Sequence, residues 1–112
     1  MEVNTMSYVT QVGQAEFEQK AIQAEGLVLV DFSATWCGPC KRMLPELEAA
    51  AEHFKGKATF LKVDIDEAPD VAMRFGVQGI PNLTFLKSGQ VVDVAVGLMP
   101  KAEIVSRVQK NL

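Results

Sequence analysis

The stretch LVLVDFSATWCGPC spans residues 27–40 and holds both cysteines of the chain. Its first six residues form an almost continuous apolar run, which is typical of a central strand buried on both faces of a sheet. Cys37 and Cys40 follow, separated by Gly38-Pro39 and preceded by Trp36. Because apolar residues recur at helical spacing after Cys40, the cysteine pair is predicted at the junction between this strand and a helix.

Outside this stretch, the spacing of apolar residues predicts the other secondary-structure elements. The predicted strands cover residues 8–12, 27–32, 58–64, 82–87 and 90–96. The predicted helices cover residues 15–24, the segment after Cys40 with Leu44, Leu47, Ala51 and Phe54 on its apolar side, residues 69–75, and residues 101–112 with Ile104, Val105, Val108 and Leu112 inward. Ser88-Gly89 indicates a hairpin between the last two strands. The predicted fold class is α/β, with a mixed central sheet flanked by helices on both faces in the order β-α-β-α-β-α-β-β-α.

The composition is that of an ordinary globular domain. The chain has 112 residues, 48% of them hydrophobic, which predicts one domain over residues 7–112 after a flexible tail over residues 1–6. It carries 11 basic and 14 acidic side chains, and this acidic balance argues against nucleic-acid binding, which needs a basic face. No apolar run approaches the ~20 residues of a membrane span. A monomer is the expected state at this size.

The N-terminal residues lack the basic and apolar regions of a signal peptide. Two cysteines are also too few for the disulfide framework of a small secreted protein. We therefore expect the protein in the reducing cytoplasm, where a Cys pair is more often catalytic or metal-binding than a permanent structural disulfide.

The spacing of the two cysteines suits reversible disulfide chemistry. Positions i and i+3 of a helix share a face, with Cβ atoms about 5–6 Å apart, and a disulfide needs Cα atoms roughly 4.4–6.8 Å apart. Cys37 would stand at the helix start, where unpaired N–H groups and the helix dipole stabilise a thiolate. Lys41 and Arg42 add positive potential there. Cys37 is therefore the candidate attacking thiolate.

A structural role and a metal-binding role for the cysteines remain open on the sequence alone. Buried cysteines can act as small apolar side chains, although such cysteines do not usually flank Gly38-Pro39 at a helix start. A zinc site would need further ligands. The one histidine, His53, lies far along the helix, and no second Cys pair exists, so we predict no metal.

Asp31 is a candidate general base on the same strand. A carboxylate at the end of an apolar run is expected to be desolvated, which raises its pKa toward that of a useful base. Alternatively, Asp31 caps a turn or is solvated at the strand end.

Several segments together resemble the thioredoxin family. They are VDFSATWCGPCK (residues 30–41), GIPNLTF (residues 79–85) and Val96-Gly97. The WCGPC motif is highly specific, whereas a bare CxxC would be weak, and the resemblance covers nearly the whole chain. It implies the thioredoxin fold and a protein-disulfide reductase that serves cell redox homeostasis by donating electrons to reductive enzymes.

By this resemblance, the Cys37 thiolate attacks a substrate disulfide and Cys40 resolves the mixed disulfide, which leaves a disulfide between Cys37 and Cys40. Asp31 corresponds to the buried carboxylate that assists deprotonation of Cys40. Gly38-Pro39 and Lys62 are expected to tune the redox properties of the pair. Lys62 could instead be a solvent-facing lysine of its strand.

The resemblance also implies an apolar surface that binds an extended segment of the substrate. Its residues are Trp36, Ile80, Pro81 and Gly97, with a cis peptide bond before Pro81. Each of them alone, Trp36 for example, would also fit a place in the core.

The sequence departs from common family patterns at three positions. Ser33 stands where many members have a bulky aromatic residue, and Asn82 stands where Thr is usual. Pro100 stands where a Ser often caps the last helix, which leaves Met99 as a poor N-cap. These departures bear on partner choice and redox potential rather than on the reaction.

The expected partners follow from the same resemblance. They are protein disulfide substrates, an NADPH-dependent, flavin-containing thioredoxin reductase as electron source, and ribonucleotide reductase, peroxiredoxin and methionine sulfoxide reductase as recipients; no cofactor of its own is expected. A disulfide oxidant or isomerase is disfavoured because Gly38-Pro39 offers no histidine between the cysteines. A non-catalytic binding scaffold is disfavoured because both cysteines are present.

Overall fold

The structure, a computed structural model, describes residues 7–112, and the tail predicted over residues 1–6 lies outside them. The strands are β1 (Val9–Gln11), β2 (Leu27–Ser33), β3 (Ala58–Asp64), β4 (Asn82–Lys87) and β5 (Gln90–Val96). The helices are α1 (Gln14–Phe17), which continues as a π-helical turn over Glu18–Ile22, α2 (Gly38–His53), α3 (Pro69–Arg74) and α4 (Lys101–Asn111). The predicted order of elements and the α/β fold class are confirmed.

The five strands form one mixed sheet in the order β1-β3-β2-β4-β5. Strands β1 and β2 both run parallel to β3, whereas β4 is antiparallel to β2 and β5 is antiparallel to β4. Ser88 and Gly89 join β4 to β5 with φ angles of 53° and 77°. A two-residue type I′ turn requires positive φ at both of its central residues. The twist of this turn matches the twist of the two strands that it joins. The predicted hairpin is therefore confirmed.

Strand β2 lies inside the sheet, and all seven of its residues are buried. Alternate side chains of a strand point to opposite faces, and helices cover both faces. One face packs against α2 and α4, with core residues that include Leu29, Met43, Leu47, Phe85 and Ile104. The other face packs against α1 and α3, with core residues that include Phe17, Ala21, Val28, Phe32 and Val71. Burial on both faces explains why residues 27–32 are almost entirely apolar.

The helix predicted over residues 15–24 differs in its second half. It becomes π-helical there, because the N–H of Gln23 donates to the carbonyl of Glu18, five residues earlier, at 2.9 Å. Apolar spacing alone does not distinguish an α-helix from a π-helical turn of this length.

The apolar side of α2 includes Met43, which is fully buried, whereas the predicted Leu44 is only partly buried. Residues four and three positions before Leu47 both satisfy helical spacing. Packing against the sheet, rather than spacing, therefore selects Met43.

The prediction that Leu112 is buried is wrong. Helix α4 ends at Asn111, and Leu112 is 48% exposed. Its carbonyl accepts a hydrogen bond from Nζ of Lys87 at 3.0 Å. The helical periodicity that buries Ile104 and Val108 does not extend to a residue beyond the helix end.

The first turn of α4 receives its hydrogen-bond acceptor from another helix. Pro100 is the N-cap residue and offers no side-chain oxygen, so the prediction of Met99 as N-cap is wrong. The N–H of Lys101 donates instead to Oε1 of Glu46 in α2 at 2.7 Å. This contact ties α2 to the start of α4.

We infer that residues 7–112 form one domain, because a single sheet takes strands from Val9 to Val96 and α4 packs against it. The Cα radius of gyration is 12.8 Å, close to the value of about 13 Å for a folded domain of about 100 residues. None of the described helices is long and apolar enough to cross a membrane.

Candidate active site

Cys37 and Cys40 begin helix α2 and are joined by a disulfide, with their Cα atoms 5.3 Å apart. Cys37 is the N-cap residue, and its Sγ accepts the backbone N–H of Cys40 at 3.2 Å. Pro39 stands in the first turn, where its missing N–H leaves no helical hydrogen bond unmade. The sulfur of Cys37 thus takes the place of a capping oxygen, and a thiolate there would be stabilised by the same N–H and by the helix dipole.

The disulfide lies in an apolar setting. Both cysteines are only 5% exposed and pack with Ala34 and with the partly buried Ile65 and Ile80. This contact brings two distant segments of the chain, the loops after β3 and before β4, against the start of α2.

Trp36 lies on the surface beside the cysteines, so its alternative placement in the core is wrong. It is 66% exposed. Its indole Nε1 donates a hydrogen bond to Oδ2 of Asp66 at 2.7 Å. One edge of the indole is therefore anchored while much of the ring faces solvent.

Asp31 is buried within β2 at 2% exposure, so the alternatives of a turn cap or a solvated strand end are wrong. It pairs with Lys62 of β3 and Leu83 of β4. Burial, opposed in part by the positive charge of Lys62, raises the pKa of Asp31 from 3.8 to about 7. Its Oδ1 has no hydrogen-bond partner among the described residues. A carboxyl group with a pKa near neutrality can exchange a proton with a thiol.

A cleft of about 430 Å³ connects Asp31 with Cys40. Its lining includes Asp31, Ser33, Cys40, Leu44, Lys62 and Asp64. Asp31 and Ser33 point to the same face of the sheet as Leu29, toward α2, because alternate residues of a strand share a face. Lys62 is half-buried on the neighbouring strand and faces this cleft as well as solvent. The small side chain of Ser33 leaves the cleft open.

The loop before β4 lies next to the cysteines. The Ile80–Pro81 peptide bond is cis, and the carbonyl of Pro81 accepts the N–H of Gly97 at 2.9 Å. Gly97 has φ of 109°, and no heavy atom lies within 4 Å of the point where a Cβ would sit. The backbone conformation therefore requires glycine at position 97, and open space adjoins it.

A family model for thioredoxin matches residues 8–110. The chain belongs to the thioredoxin family. It is 40% identical to thioredoxin 1 of Nostoc sp. over 96% of this chain and all of that protein. It is 44% identical to a thioredoxin of Staphylococcus aureus over 93% of this chain and 98% of that protein. A thioredoxin of Synechocystis sp. is 39% identical over 96% of this chain and all of that protein.

Membership of the thioredoxin family, together with the cysteine pair, makes this protein a thiol–disulfide oxidoreductase. The α/β architecture is that of the thioredoxin fold. Disulfide substrates and a reductase partner are general features of the family.

Two acidic residues near the site are not marked by any sequence motif. Asp66 binds the indole of Trp36. Asp64 is 7% exposed and accepts the N–H groups of Asp66 and Glu67 at 2.8 and 3.3 Å, which fixes the loop after β3. An acidic residue after a strand is a common turn signal, but no local pattern links it to Trp36.

One departure from common thioredoxin patterns is accommodated within the sheet. Asn82 is 6% exposed, and its Oδ1 accepts the hydroxyl hydrogen of Thr84 at 2.7 Å. This hydrogen bond gives the buried side-chain oxygen of Asn82, which follows Pro81 in the chain, a donor.

Proposed function

We propose that the protein reduces disulfide bonds of other proteins, with Cys37 as the attacking nucleophile and Cys40 as the resolving thiol. The observation that carries this proposal is the position of Cys37 at the N-cap of α2. The backbone N–H of Cys40 and the helix dipole both favour a thiolate there. Cys40 lies one helical turn further in and lines the Asp31 cleft, so the two thiols have different surroundings.

The reaction has two exchange steps. The Cys37 thiolate attacks one sulfur of the substrate disulfide, and the other substrate sulfur leaves as a thiolate that takes up a proton. Cys40 then loses its proton and attacks Sγ of Cys37, which displaces the second substrate thiolate. Two electrons pass to the substrate, and the Cys37–Cys40 disulfide corresponds to the oxidised product.

We assign Asp31 as the group that accepts the proton of Cys40. Both residues line the same cleft, and burial brings the pKa of Asp31 to about 7. The carboxyl is thus partly ionised at neutral pH and can accept a proton when resolution requires it. Lys62 partly opposes the effect of burial, which supports its role in tuning this group.

Gly38 and Pro39 are assigned a redox-tuning role because neither adds a titratable group between the cysteines. A cationic side chain there would stabilise the thiolate further and make the disulfide more oxidising. Their identity supports a reductant rather than an oxidant.

Trp36, Ile80, Pro81 and Gly97 are assigned to substrate binding. The exposed indole of Trp36 and the contact of Ile80 with the cysteine cluster support an apolar surface around the disulfide. The open space beside Gly97 supports the close approach of an extended substrate chain.

We assign the electron supply to an NADPH-dependent, flavin-containing thioredoxin reductase, and the recipients to ribonucleotide reductase, peroxiredoxin and methionine sulfoxide reductase. Membership of the thioredoxin family supports these partners. The absence of a histidine between the cysteines supports a protein that donates electrons rather than an oxidant. We further propose that the protein acts as a cytoplasmic monomer.

Cysteine variants test the two-step route. Cys37→Ser is expected to abolish reduction of a protein disulfide, whereas Cys40→Ser is expected to accumulate mixed disulfides on a non-reducing gel. Wild-type activity in Cys37→Ser would overturn the assignment of the nucleophile. A Cys40→Ser sample without trapped species would overturn the resolving role of Cys40.

The reduction potential of the cysteine pair tests the direction of the reaction. Titration in thiol redox buffers, followed by the fluorescence of Trp36, is expected to give a midpoint of about −270 mV, the value typical of thioredoxins. A midpoint at or above about −180 mV would indicate an isomerase or oxidant instead. The absence of any redox transition would leave only a non-catalytic scaffold.

A further inference from the structure

A second groove, of about 460 Å³, adjoins the start of α2. It is lined by Arg42, Glu46, Leu98, Met99 and Pro100. None of these residues lines the Asp31 cleft. Because Leu98 directly follows Gly97 in the chain, the groove continues the proposed substrate-binding surface away from the disulfide.

Arg42 is exposed and reaches back over the beginning of α2. It stands four residues after Gly38, and residues at this spacing are neighbours on a helix. Its Nη1 lies 3.5 Å from the point where a Cβ on Gly38 would sit. The guanidinium group thus lies between the first turn of α2 and the groove.

Within the part of the chain that the structure describes, the charged side chains around this groove leave Arg42 without an ion-pair partner. The first turn of α2 has no acidic residue. The one carboxylate of the groove belongs to Glu46, and its Oε1 accepts the N–H of Lys101 at 2.7 Å. Among the described residues, none forms an ion pair with Arg42. A cation near a helix N-terminus is also disfavoured by the helix dipole, so an external anion would relieve both effects.

The opposite wall of the groove is apolar. Leu98 is 50% exposed, whereas Met99 is only 4% exposed and fixes the segment in the core. Glu46 holds the end of the same segment through Lys101. The groove therefore presents an exposed apolar side chain on an anchored backbone segment together with a guanidinium group, which can bind a carboxylate through two parallel hydrogen bonds.

We propose that this groove determines which protein substrates bind best, by receiving a substrate segment with a carboxylate side chain and an apolar side chain beside the attacked disulfide. Arg42 binds the carboxylate and Leu98 contacts the apolar residue. The inference rests on the proposed reductase function and adds the kind of substrate that the reductase prefers.

Two synthetic disulfide peptides, identical except for Glu or Lys residues flanking one cysteine, test this proposal. The measured quantity is the ratio of kcat/KM for the acidic peptide to that for the basic peptide. Both peptides react with the same Cys37 thiolate, so the ratio removes any effect of a substitution on the thiol itself. The expected change for Arg42→Glu is a fall of about tenfold in this ratio at low ionic strength, and the fall should shrink with added salt.

Lys57→Glu is the matched control, since it makes the same charge change at an exposed residue that precedes β3, at the opposite end of the sheet from the cysteines. It is expected to leave the ratio within about twofold of wild type. An unchanged ratio in Arg42→Glu, or an equal fall in Lys57→Glu, would overturn the groove proposal. Failure of the wild-type protein to reduce either peptide would instead overturn the reductase function, and this inference with it.

Discussion

The carboxylate of Glu46 accepts the backbone N–H of Lys101 at 2.7 Å, so a residue of α2 caps the first turn of α4. Pro100 occupies the N-cap position and has no side chain that can do this. The first N–H groups of a helix have no acceptor within the helix itself. The contact compensates for the absence of a capping Ser and holds the segment from Leu98 to Pro100 against α2.

Removal of this acceptor should weaken the fold. We expect Glu46→Ala to lower the free energy of unfolding by about 1–2 kcal/mol, the usual effect of losing a helix cap, and Glu46→Gln to retain part of it. Urea denaturation measures both. Glu52→Ala, at an exposed position of the same helix, is the control, and an equal loss in that variant would show that the capping contact contributes nothing.

The buried carboxyl of Asp31 should make stability depend on pH. Burial raises its pKa from 3.8 to about 7 despite the opposing charge of Lys62. Ionisation of Asp31 therefore lowers the free energy of unfolding. This loss is absent below pH 3.8, grows as the pH rises, and is complete above about pH 7. The difference between these pKa values corresponds to at most about 4 kcal/mol.

Asp31→Asn should accordingly be more stable than wild type at a pH of about 8 by up to about 4 kcal/mol, and the gain should vanish near a pH of about 4. Urea denaturation at several pH values measures this, with the exposed Asp70→Asn as control. The same Asp31 variant should resolve mixed disulfides more slowly at neutral pH. A stability difference that does not vary with pH would contradict the assignment.

The side chain at position 33 should control the surroundings of Asp31. Ser33 is buried beside the cleft of about 430 Å³ that Asp31 also lines. We expect Ser33→Trp to fill this space, exclude water from Asp31, and raise the pKa of its carboxyl further, because desolvation disfavours the charged form.

Carbon NMR of the Asp31 carboxyl during a pH titration measures this effect. The titration midpoint should rise by about one pH unit in Ser33→Trp, whereas Ser33→Ala, which leaves the cleft open, should change it little. A folded Ser33→Trp protein with an unchanged midpoint would refute the link between cleft and carboxyl.

Asp93 should contribute to stability by joining β5 to α4. Its carboxylate accepts hydrogen bonds from Nδ2 of Asn111 at 3.0 Å and Nη1 of Arg107 at 3.2 Å. Burial raises its pKa, but the hydrogen bonds from Asn111 and from the N–H of Val94, with the charges of Arg107 and Lys110, outweigh burial and lower the pKa below 3.8. The stabilisation is therefore complete above pH 3.8 and is lost as the pH falls through the lower, folded-state value.

We expect Asp93→Ala to lower the free energy of unfolding by about 1–2 kcal/mol at neutral pH, with a smaller loss in strong acid. The exposed pair between Arg74 and Glu18, at 3.0 Å, provides the control. Glu18→Ala should cost less than about 1 kcal/mol, because exposed ion pairs contribute little. Equal losses in the two variants would show that Asp93 does not act as a partly buried link between β5 and α4.

Much of the fold could be predicted from local patterns. The apolar run before Asp31 predicts a strand covered on both faces, and Ser88-Gly89 predicts a tight hairpin, because each depends on the backbone and burial of a few consecutive residues. The start of α2 at the cysteine pair is local in the same way. The burial of Asp31 was also predictable, since its strand neighbours are apolar.

Other features depend on residues that are far apart in the chain. Trp36 and Asp66 are 30 residues apart, and Glu46 and Lys101 are 55 residues apart. Such contacts follow from the order and register of the strands and from how helices pack on them, and no periodicity along the chain encodes them. Leu112 shows the same limit, because the helical pattern continues in the sequence after the helix itself has ended.

Interactions among neighbouring residues specify the element order, the buried central strand and the placement of the cysteine pair at a helix start, so these features are already present in the amino-acid sequence. The cleft that connects Asp31 to Cys40, the side chain that caps α4 and the groove that carries Arg42 follow only from the folded chain. They arise where separate elements meet, and their geometry is set by packing across the sheet.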